Sequence, residues 1–236
     1  MRKESLEQIN ACRSANRPCV LFRDLDTHES FVLEPGLHVD EQDAELHELA
    51  MQALRTDRCV RREVRGQDWF VQPFNAPLRL LIIGAVHTGQ HLASYALSCG
   101  YDVVVVDPRQ AFASEARFPG VTLNTEWPDY ALEILSPDTR TALVTLTHDP
   151  KLDDPALQAA LRSPAFYIGA LGSRRTQAAR VERLREAGLG EAEIARLKAP
   201  VGLDIGARSP AEIAVSIMAE ITQALRKDSS KAKGSE

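Results

Sequence analysis

The sequence predicts an α/β protein: a doubly wound, mostly parallel sheet of the Rossmann-like type, preceded by a small N-terminal α+β domain. The first observation is the segment LLIIGAVHTGQHLASYALSCGYDVVVVDPR (residues 80–109), which reads as apolar strand, glycine-containing turn, amphipathic helix and second apolar strand. The second is that the apolar runs are continuous and rich in β-branched residues. This pattern is typical of parallel strands buried on both faces.

Composition excludes several classes of protein. The chain has 236 residues, 44% of them hydrophobic, and a net charge of -5. This size suits a large domain plus a small one, and the negative charge argues against nucleic acid as a partner. No apolar run reaches the length of a membrane span, and the N-terminus lacks the apolar core of a signal peptide. The four cysteines form no CxxC pair, so we expect reduced thiols in a cytoplasmic protein.

The domain boundaries follow from changes in pattern. Residues 1–77 are expected to form the small α+β domain and its linker, residues 78–226 the Rossmann-like cofactor-binding domain, and residues 227–236 a disordered polar tail. In the first block the pattern predicts helices over 4–15 and 40–54, strands at 19–22 and 30–33, and a hairpin formed by 58–64 and 69–71. The segment 73–77, with a proline at each end, is expected to be the linker.

Strands and helices alternate through the second block. Beyond residue 110 the pattern predicts strands at 121–123, 141–146, 166–168 and 201–205, and helices at 128–135, 153–161, 176–187 and from 210 onward. In the helix over 176–187, Val181 and Leu184 are expected inside and the arginines outside. Ser209, Pro210 and Glu212 fit the first positions of a capping box.

Five of the loops that follow strands have unusual sequences. They cover residues 84–89, 107–109, 147–151, 169–175 and 202–208. Right-handed crossovers bring the loops after parallel strands to one edge of the sheet, where ligands of open α/β proteins bind. The sequence therefore predicts a binding crevice at the carboxyl edge.

The first loop resembles part of a dinucleotide fingerprint, G-x-G-x-x-G. Gly84 and Gly89 occupy the first and third glycine positions, but Val86 stands at the second, where a pyrophosphate approaches the backbone. Asp107 lies 23 residues after Gly84, near the expected position of a ribose-binding acid. Two interpretations of Asp107 stay open: a ribose-binding acid, or a strand-end aspartate that caps a turn.

The loop at 147–151 carries His148 and Asp149, which could transfer a proton or hold a polar ligand. The simpler interpretation is a turn followed by a helix capped by Asp153 or Asp154. The spacing matches no familiar set of metal ligands.

The loop at 169–175 gives the most specific signal. Gly169 and Gly172 flank a strand end, and a helix then begins at Ser173, Arg174 and Arg175. Helix N-termini attract anions, so two arginines there are locally unfavourable unless a phosphate-like ligand binds them. A surface salt bridge is the alternative, and we favour the anion. The loop at 202–208 repeats the pattern, with glycines and one acid, Asp204.

These loops resemble the xanthine dehydrogenase accessory factor (XdhC/CoxI) family. The matching segments are IIGAVHTGQ, VVVDPRQAFASEARFPG, LTHDPKLDDPAL, YIGALGSRRT and PVGLDIGARSPAEIAVSIMAEI. The resemblance implies a chaperone that binds molybdenum cofactor (molybdopterin), supports its sulfuration and delivers it to an apo molybdenum hydroxylase. It also implies a homodimer and, as a further candidate partner, a cysteine desulfurase. The protein is expected to have no turnover of its own.

The resemblance also has a departure. Longer family members carry an N-terminal domain with a glycine-rich segment and a Cys-Gly-Gly-type motif, and residues 1–77 contain neither. Either the Rossmann-like crevice holds the cofactor alone, or a partner chain supplies the missing half. Docking of a client or partner is the expected role of residues 1–77.

The candidate cofactor-binding residues share a position on these loops. They are Gly84, His87, Gly89, Asp107, Arg109, His148, Asp149, Gly169, Gly172, Ser173, Arg174, Arg175 and Asp204. The helix start at 172–175 would hold the phosphate, while His148, Asp149 and Asp204 would face the pterin or the metal oxo groups. No catalytic residue and no metal ligand is predicted.

Two other functions compete with this interpretation. An NAD(P)-dependent oxidoreductase would use Asp107 to bind the ribose, but Val86 and the lack of a Tyr-x-x-x-Lys pair at a suitable strand end count against it. A nucleotide-sensing regulatory domain is the other alternative.

Overall fold

The computed structural model describes residues 3–35 and 44–231, without the side chains of residues 228–231. The chain forms two compact units, which divide between Ala76 and Pro77 and again after Lys227. The tail that the sequence predicts to be disordered from residue 227 instead continues the last helix to Lys231. Residues 232–236 lie outside the described part.

The first unit is an antiparallel sheet with helices. Its elements, in chain order, are α1 (Lys3–Ser14), β1 (Cys19–Asp24), β2 (Ser30–Leu33), α2 (Ala44–Thr56), β3 (Val60–Val64) and β4 (Gln67–Phe74). The strand order is β2-β1-β4-β3. Phe22, Trp69 and Val71 pack beneath α2, whose Ala50 and Ala53 are fully buried. The first four residues of the helix predicted over 40–54 lie outside the described residues.

One predicted break is part of a strand. Pro73 was expected in the linker, yet β4 continues through it to Phe74 and pairs Pro73 with Val20 of β1. Proline is tolerated at this position because β3 begins opposite Val71, so that among the described strands Pro73 has a neighbour on one side only.

The second unit is a six-stranded parallel sheet with helices on both faces, which confirms the predicted fold class. Its elements are β5 (Leu78–Ile83), α3 (His87–Ser98), β6 (Tyr101–Val106), β7 (Thr122–Asn124), α4 (Pro128–Leu135), β8 (Thr141–Thr145), α5 (Pro150–Arg162), β9 (Tyr167–Ala170), α6 (Arg174–Glu186), α7 (Glu191–Ile194), β10 (Leu197–Lys198) and α8 (Pro210–Lys231). The strand order is β10-β9-β8-β5-β6-β7. The chain reverses its direction of strand addition between β5 and β8, which is the position of ligands in doubly wound folds.

The central strand β5 contributes to two separate cores. Leu80 and Ile82 belong to the core on one face, together with Ile217 of α8. Leu81 and Ile83 belong to the core on the other face, together with Leu157 of α5. Because both faces are covered, β5 needs apolar residues at every position rather than at alternate ones.

The prediction of a last strand over 201–205 is wrong. The edge strand is the shorter β10, whose Leu197 pairs with Ile168 of β9. Residues 201–205 instead cross the carboxyl end of β9, since Val201 N–H donates to the Ala170 carbonyl and Leu203 N–H to the Ser216 carbonyl of α8. Val201 therefore packs against Gly169 of β9 and Leu203 bonds to α8, without forming a further strand of the sheet.

A tight turn after β5 leads to the first prediction. Gly84 has φ +110°, and a Cβ there would lie 2.5 Å from Cγ2 of Thr147. Gly84→Ala should lower the free energy of unfolding by about 2–4 kcal/mol, because it adds a steric clash to backbone strain. Gly206→Ala is the matched control, since Gly206 has φ +76° but nothing within 4 Å of the added Cβ. Urea denaturation should give the control the smaller loss, of about 1 kcal/mol. Equal losses would contradict the close contact with Thr147.

Candidate functional site at the carboxyl edge of the sheet

Four of the five predicted loops adjoin one another at the carboxyl edge. The Ala85 N–H donates to Oδ2 of Asp107 at 2.8 Å, which joins the loops after β5 and β6. Gly84 faces Thr147 of the loop after β8. The Leu171 N–H donates to the Thr145 carbonyl, which joins the loops after β8 and β9. The parallel sheet thus brings these four loops into one row.

The fifth loop, 202–208, joins the row from the side of β9. Beyond the bond from Val201 to β9, the Gly202 N–H donates to Oε2 of Glu220 in α8 at 2.8 Å, and the Tyr167 hydroxyl donates to the same oxygen at 2.6 Å. Asp204 is exposed in this loop. Gly169 has a packing role, since a Cβ there would lie 2.5 Å from Cγ2 of Val201.

The turn from β5 into α3 explains the two fingerprint glycines. A Cβ at Gly89 would lie 3.0 Å from the Gly84 carbonyl oxygen, so glycine allows the helix to pack closely on the strand end. Val86, at the second glycine position, is the N-cap residue of α3 and packs against the core. His87 is exposed at the first position of the helix.

Asp107 is a structural carboxylate. Its side chain is fully buried and accepts four hydrogen bonds: from the Ala85 N–H, the Arg109 N–H, and Nε and Nη2 of Arg109. Burial opposes ionisation, but these bonds outweigh it and lower the pKa of Asp107. Because a carboxylate offers about four acceptor positions, none is left for a ribose hydroxyl. The interpretation of Asp107 as a turn-capping residue fits this geometry.

Arg109 carries the positive charge of this pair toward solvent. Its guanidinium lies 4.8 Å from the ring centre of Phe112, and its side chain is 40% exposed. The bond to Asp107 raises the pKa of Arg109, and the charges of Asp149 and Asp153 add to the effect. Arg109 therefore lies within electrostatic reach of the loop after β8.

The loop after β8 differs from the predicted helix start. Asp149, not Asp153 or Asp154, is the N-cap residue of α5 and accepts from the Lys151 N–H, with Pro150 at the first helical position. His148 has φ +62° and is exposed. The helix starts earlier than predicted because a proline at the first turn removes no helical hydrogen bond.

A buried ion pair lies beneath these loops. Asp153 of α5 and Arg180 of α6 are each 2% exposed, with Nη2 and Oδ2 3.4 Å apart. The Thr147 hydroxyl donates to Asp153 at 2.7 Å, and Arg180 donates to the Leu171 carbonyl at 3.0 Å. Burial raises the pKa of Asp153 and lowers the pKa of Arg180, so each charge depends on the other. The pair joins the loop after β8 to the loop after β9.

Sequence reasoning missed this pair. The arginines of α6 were expected outside, but Arg180 is buried because it shares a helix face with Leu184, four residues later. That spacing was the signal available in the sequence. The neighbouring Asp154 and Arg183 form a second, more exposed ion pair.

The start of α6 presents unpaired positive charge. Ser173 is the N-cap residue, and its hydroxyl accepts from the Thr176 N–H at 3.2 Å. The helix begins at Arg174, two residues earlier than predicted. Arg174 and Arg175 are exposed, and within the described part of the chain no acid forms an ion pair with either. The surface salt bridge proposed as an alternative therefore has no partner among the described residues.

Three further observations bear on the class of site. Among residues 3–35 and 44–231, no three His, Cys, Asp or Glu side chains cluster in a way that could hold a metal ion. The four cysteines are free, and burial raises the pKa of Cys19 to about 12, which keeps that thiol unreactive. None of the described helices combines the length and the apolar character that a bilayer span requires.

The parallel sheet with helices on both faces defines a Rossmann-like domain. Residues 80–221 match the XdhC Rossmann domain, and the chain belongs to this family. The chain is 36% identical over 145 residues to the uncharacterized protein YqeB and 35% identical over 148 residues to the molybdenum cofactor insertion chaperone PaoD, both from Escherichia coli. It is 29% identical over 226 residues to a probable subunit of xanthine dehydrogenase from Bacillus subtilis.

The matches cover unequal parts of the two chains. The alignments take in 61%, 63% and 94% of this chain, but only 27%, 40% and 65% of YqeB, PaoD and the B. subtilis protein. A crystal structure of a xanthine dehydrogenase from Bacillus halodurans superposes with a TM-score of 0.71 at 22% identity, covering 95% of this chain and 64% of that one. Similarity of fold therefore extends over both units.

The geometry of Asp107 predicts that the stability lost on its substitution depends on pH. Asp107→Asn should lower the free energy of unfolding by about 2 kcal/mol at about pH 7, because an amide offers fewer acceptor positions and leaves the Arg109 charge unpaired. The folded pKa of Asp107 is depressed, so its contribution is present above the unfolded pKa of about 3.9 and is lost as the pH falls through the folded pKa. The deficit of the mutant should therefore shrink in acid. Urea denaturation at neutral and at acidic pH measures the difference in free energy of unfolding between the mutant and the unchanged protein. The exposed Asp102→Asn is the control.

The buried ion pair predicts that substitutions of Asp153 and Arg180 have strongly non-additive effects on stability. Asp153→Asn should destabilise the protein by about 3–5 kcal/mol, because it leaves the Arg180 charge buried without a partner. Asp153→Leu combined with Arg180→Met should recover most of that loss. Asp154→Asn should cost less, since Arg183 can reach solvent. Additive losses in a double-mutant cycle on Asp153 and Arg180 would show that the two side chains do not interact.

Proposed function

We propose that this chain is a maturation chaperone for a xanthine dehydrogenase-type molybdenum hydroxylase. It binds molybdenum cofactor at the carboxyl edge of the parallel sheet, supports sulfuration of the cofactor and delivers it to the apo-enzyme. Membership of the XdhC family and similarity to PaoD, a molybdenum cofactor insertion chaperone, support the proposal. The chaperone itself carries out no turnover.

The observation that carries the proposal is the start of α6. Two exposed arginines, Arg174 and Arg175, stand beside free N–H groups at the positive end of the helix dipole. Molybdopterin carries a phosphate, or a pyrophosphate in its dinucleotide forms, and this anion matches the charge that the helix start leaves unpaired.

The remaining groups at the edge fit a polar guest. His148, Asp149 and Asp204 are exposed on loops of the same row and would face the pterin. Among the described residues, three buried side-chain atoms have no hydrogen-bond partner; Thr145 Oγ1 and Arg180 Nε belong to this edge, and Arg23 Nε belongs to the first unit. These polar groups and the cationic helix start are compatible with a phosphorylated pterin.

Each part of the edge then has its own task. Arg174 and Arg175 bind the phosphate, and Ser173 holds the first turn of α6 in place through its cap. The Asp153–Arg180 pair keeps the loops after β8 and β9 at a constant separation, and Asp107 orients Arg109 and the turn at Ala85. When bound, the cofactor supplies the metal, oxo and sulfido groups that the client enzyme uses.

The partners follow from the same role. The apo molybdenum hydroxylase is the client, a cysteine desulfurase is the candidate sulfur donor, and the chaperone acts as a homodimer in the cytoplasm. Binding of NAD(P) is the less favoured alternative, because all four acceptor positions of Asp107 are taken within the chain.

Loss of the helix-start charges tests the proposal. Arg174→Ala with Arg175→Ala should weaken molybdopterin uptake at least about tenfold, since charge-assisted bonds to phosphate contribute about 1.5–3 kcal/mol each. The pterin content of purified protein, measured by fluorescence after oxidation, gives the uptake. Arg162→Ala with Arg185→Ala is the control, because it also removes two positive charges but away from the start of α6.

Unchanged uptake in the Arg174/Arg175 variant would reject the site. Delivery is measured separately: an apo molybdenum hydroxylase is co-expressed with and without this protein and then assayed for molybdenum, terminal sulfur and activity. Equal values in both cultures would reject the chaperone role.

A further inference from the structure

Helix α4 exposes large apolar side chains along one face. Trp127, Tyr130 and Ile134 are 54%, 53% and 63% exposed, although residues of their size are usually covered. Tyr130 and Ile134 are four residues apart and lie on the same side of α4, and Trp127 is the N-cap residue that precedes its first turn. The opposite side, with Ala131 and Leu132, is buried in the core. The exposed stripe is therefore not needed to hold α4 on the sheet.

The rim of this stripe is acidic. Glu126, Asp129 and Glu133 are exposed, and none forms an ion pair with another described residue. Residues 118–139 contain no Lys or Arg. An apolar centre with an unpaired negative rim is complementary to an apolar surface with a positive rim.

The negative charge of the rim also limits which kinds of partner can bind this face of α4. Two copies of this face related by a twofold axis would bring like charges together, which disfavours self-association through α4. An anionic membrane surface is disfavoured for the same reason. The fitting occupant is a different protein whose apolar contact patch is bordered by Lys and Arg.

The stripe begins beside the loop after β6, at the same carboxyl edge of the sheet as the candidate cofactor site. Strand β7, which precedes α4, is the edge strand of the sheet, and the Asn124 carbonyl at its end accepts from the Asp107 N–H at 3.0 Å. Trp127 follows three residues later, at the start of α4. A protein bound on this face would therefore adjoin the loop that carries Asp107 and Arg109.

We propose that the exposed face of α4, formed by Trp127, Tyr130 and Ile134 with its acidic rim, is the docking surface for the client that receives the cofactor. The inference rests on the proposed function, since delivery requires the client to reach the carboxyl edge. Trp and Tyr are also the side chains that most often dominate binding energy at interfaces.

Binding of the full chain to the purified apo molybdenum hydroxylase of the same organism tests the surface by biolayer interferometry. Trp127→Ser with Tyr130→Ser should raise Kd at least about tenfold. Glu126→Lys with Glu133→Lys should slow association and reduce its salt dependence. Both variants should retain as much molybdopterin as the unchanged protein.

Two matched controls separate docking from general effects. Val215→Ser removes an apolar side chain that is 47% exposed on α8, and Glu186→Lys reverses an exposed charge at the end of α6. Neither should change Kd by more than about twofold.

Different failures have different meanings. Unchanged Kd in both α4 variants, with molybdopterin retained, would overturn the docking surface and leave the proposed function standing. A change in sedimentation without a change in hydroxylase binding would identify the face as a contact between copies and overturn the proposal. If the unchanged protein retains molybdopterin but does not bind the hydroxylase, the docking surface and the delivery role fail while cofactor binding stands. If it does neither, the docking surface and the whole proposed function fail.

Discussion

Parallel pairing of β8 with β5 on one side and β9 on the other is the constraint on which the candidate site depends. Parallel strands all end at the same edge, so the turns that follow them become neighbours although they are far apart in the sequence. The loop after β8 is central to this arrangement. Thr147 contacts Gly84 on one side and, through Asp153 and Arg180, reaches the loop after β9 on the other.

The charges at this edge fall into two groups with different roles. Asp107 and Asp153 are buried and use their hydrogen-bonding capacity within the protein itself, each with an arginine. Arg174 and Arg175 face solvent at a helix start, where their charge opposes the local dipole. Asp107 and Asp153 are neutralised within the protein, whereas Arg174 and Arg175 keep a charge that a ligand can reach. That division supports the proposal of an anionic ligand.

At this edge, some features could be predicted from the sequence and others could not. The glycines at 84 and 89 and the capping box at the start of α8 depend on local geometry, and their residue types indicated them. The function of Asp107 stayed open because a ribose-binding acid and a turn-capping acid occupy the same position after a strand. Only the hydrogen bonds that Asp107 accepts from the Ala85 N–H and the Arg109 guanidinium distinguish the two roles. The edge strand was misplaced because Val201 and Leu203 are as apolar as strand residues, yet their neighbours are β9 and α8.

The sequence by itself determined the parallel α/β class, the order of most strands and helices, and the loops that meet at the carboxyl edge. These features depend on apolar periodicity and on residues close in the chain, which a sequence records directly. Tertiary structure alone decided that Arg180 is buried against Asp153, and that Trp127, Tyr130 and Ile134 remain uncovered. Each of those outcomes depends on which side of a helix meets another element, and that is a property of packing between distant segments.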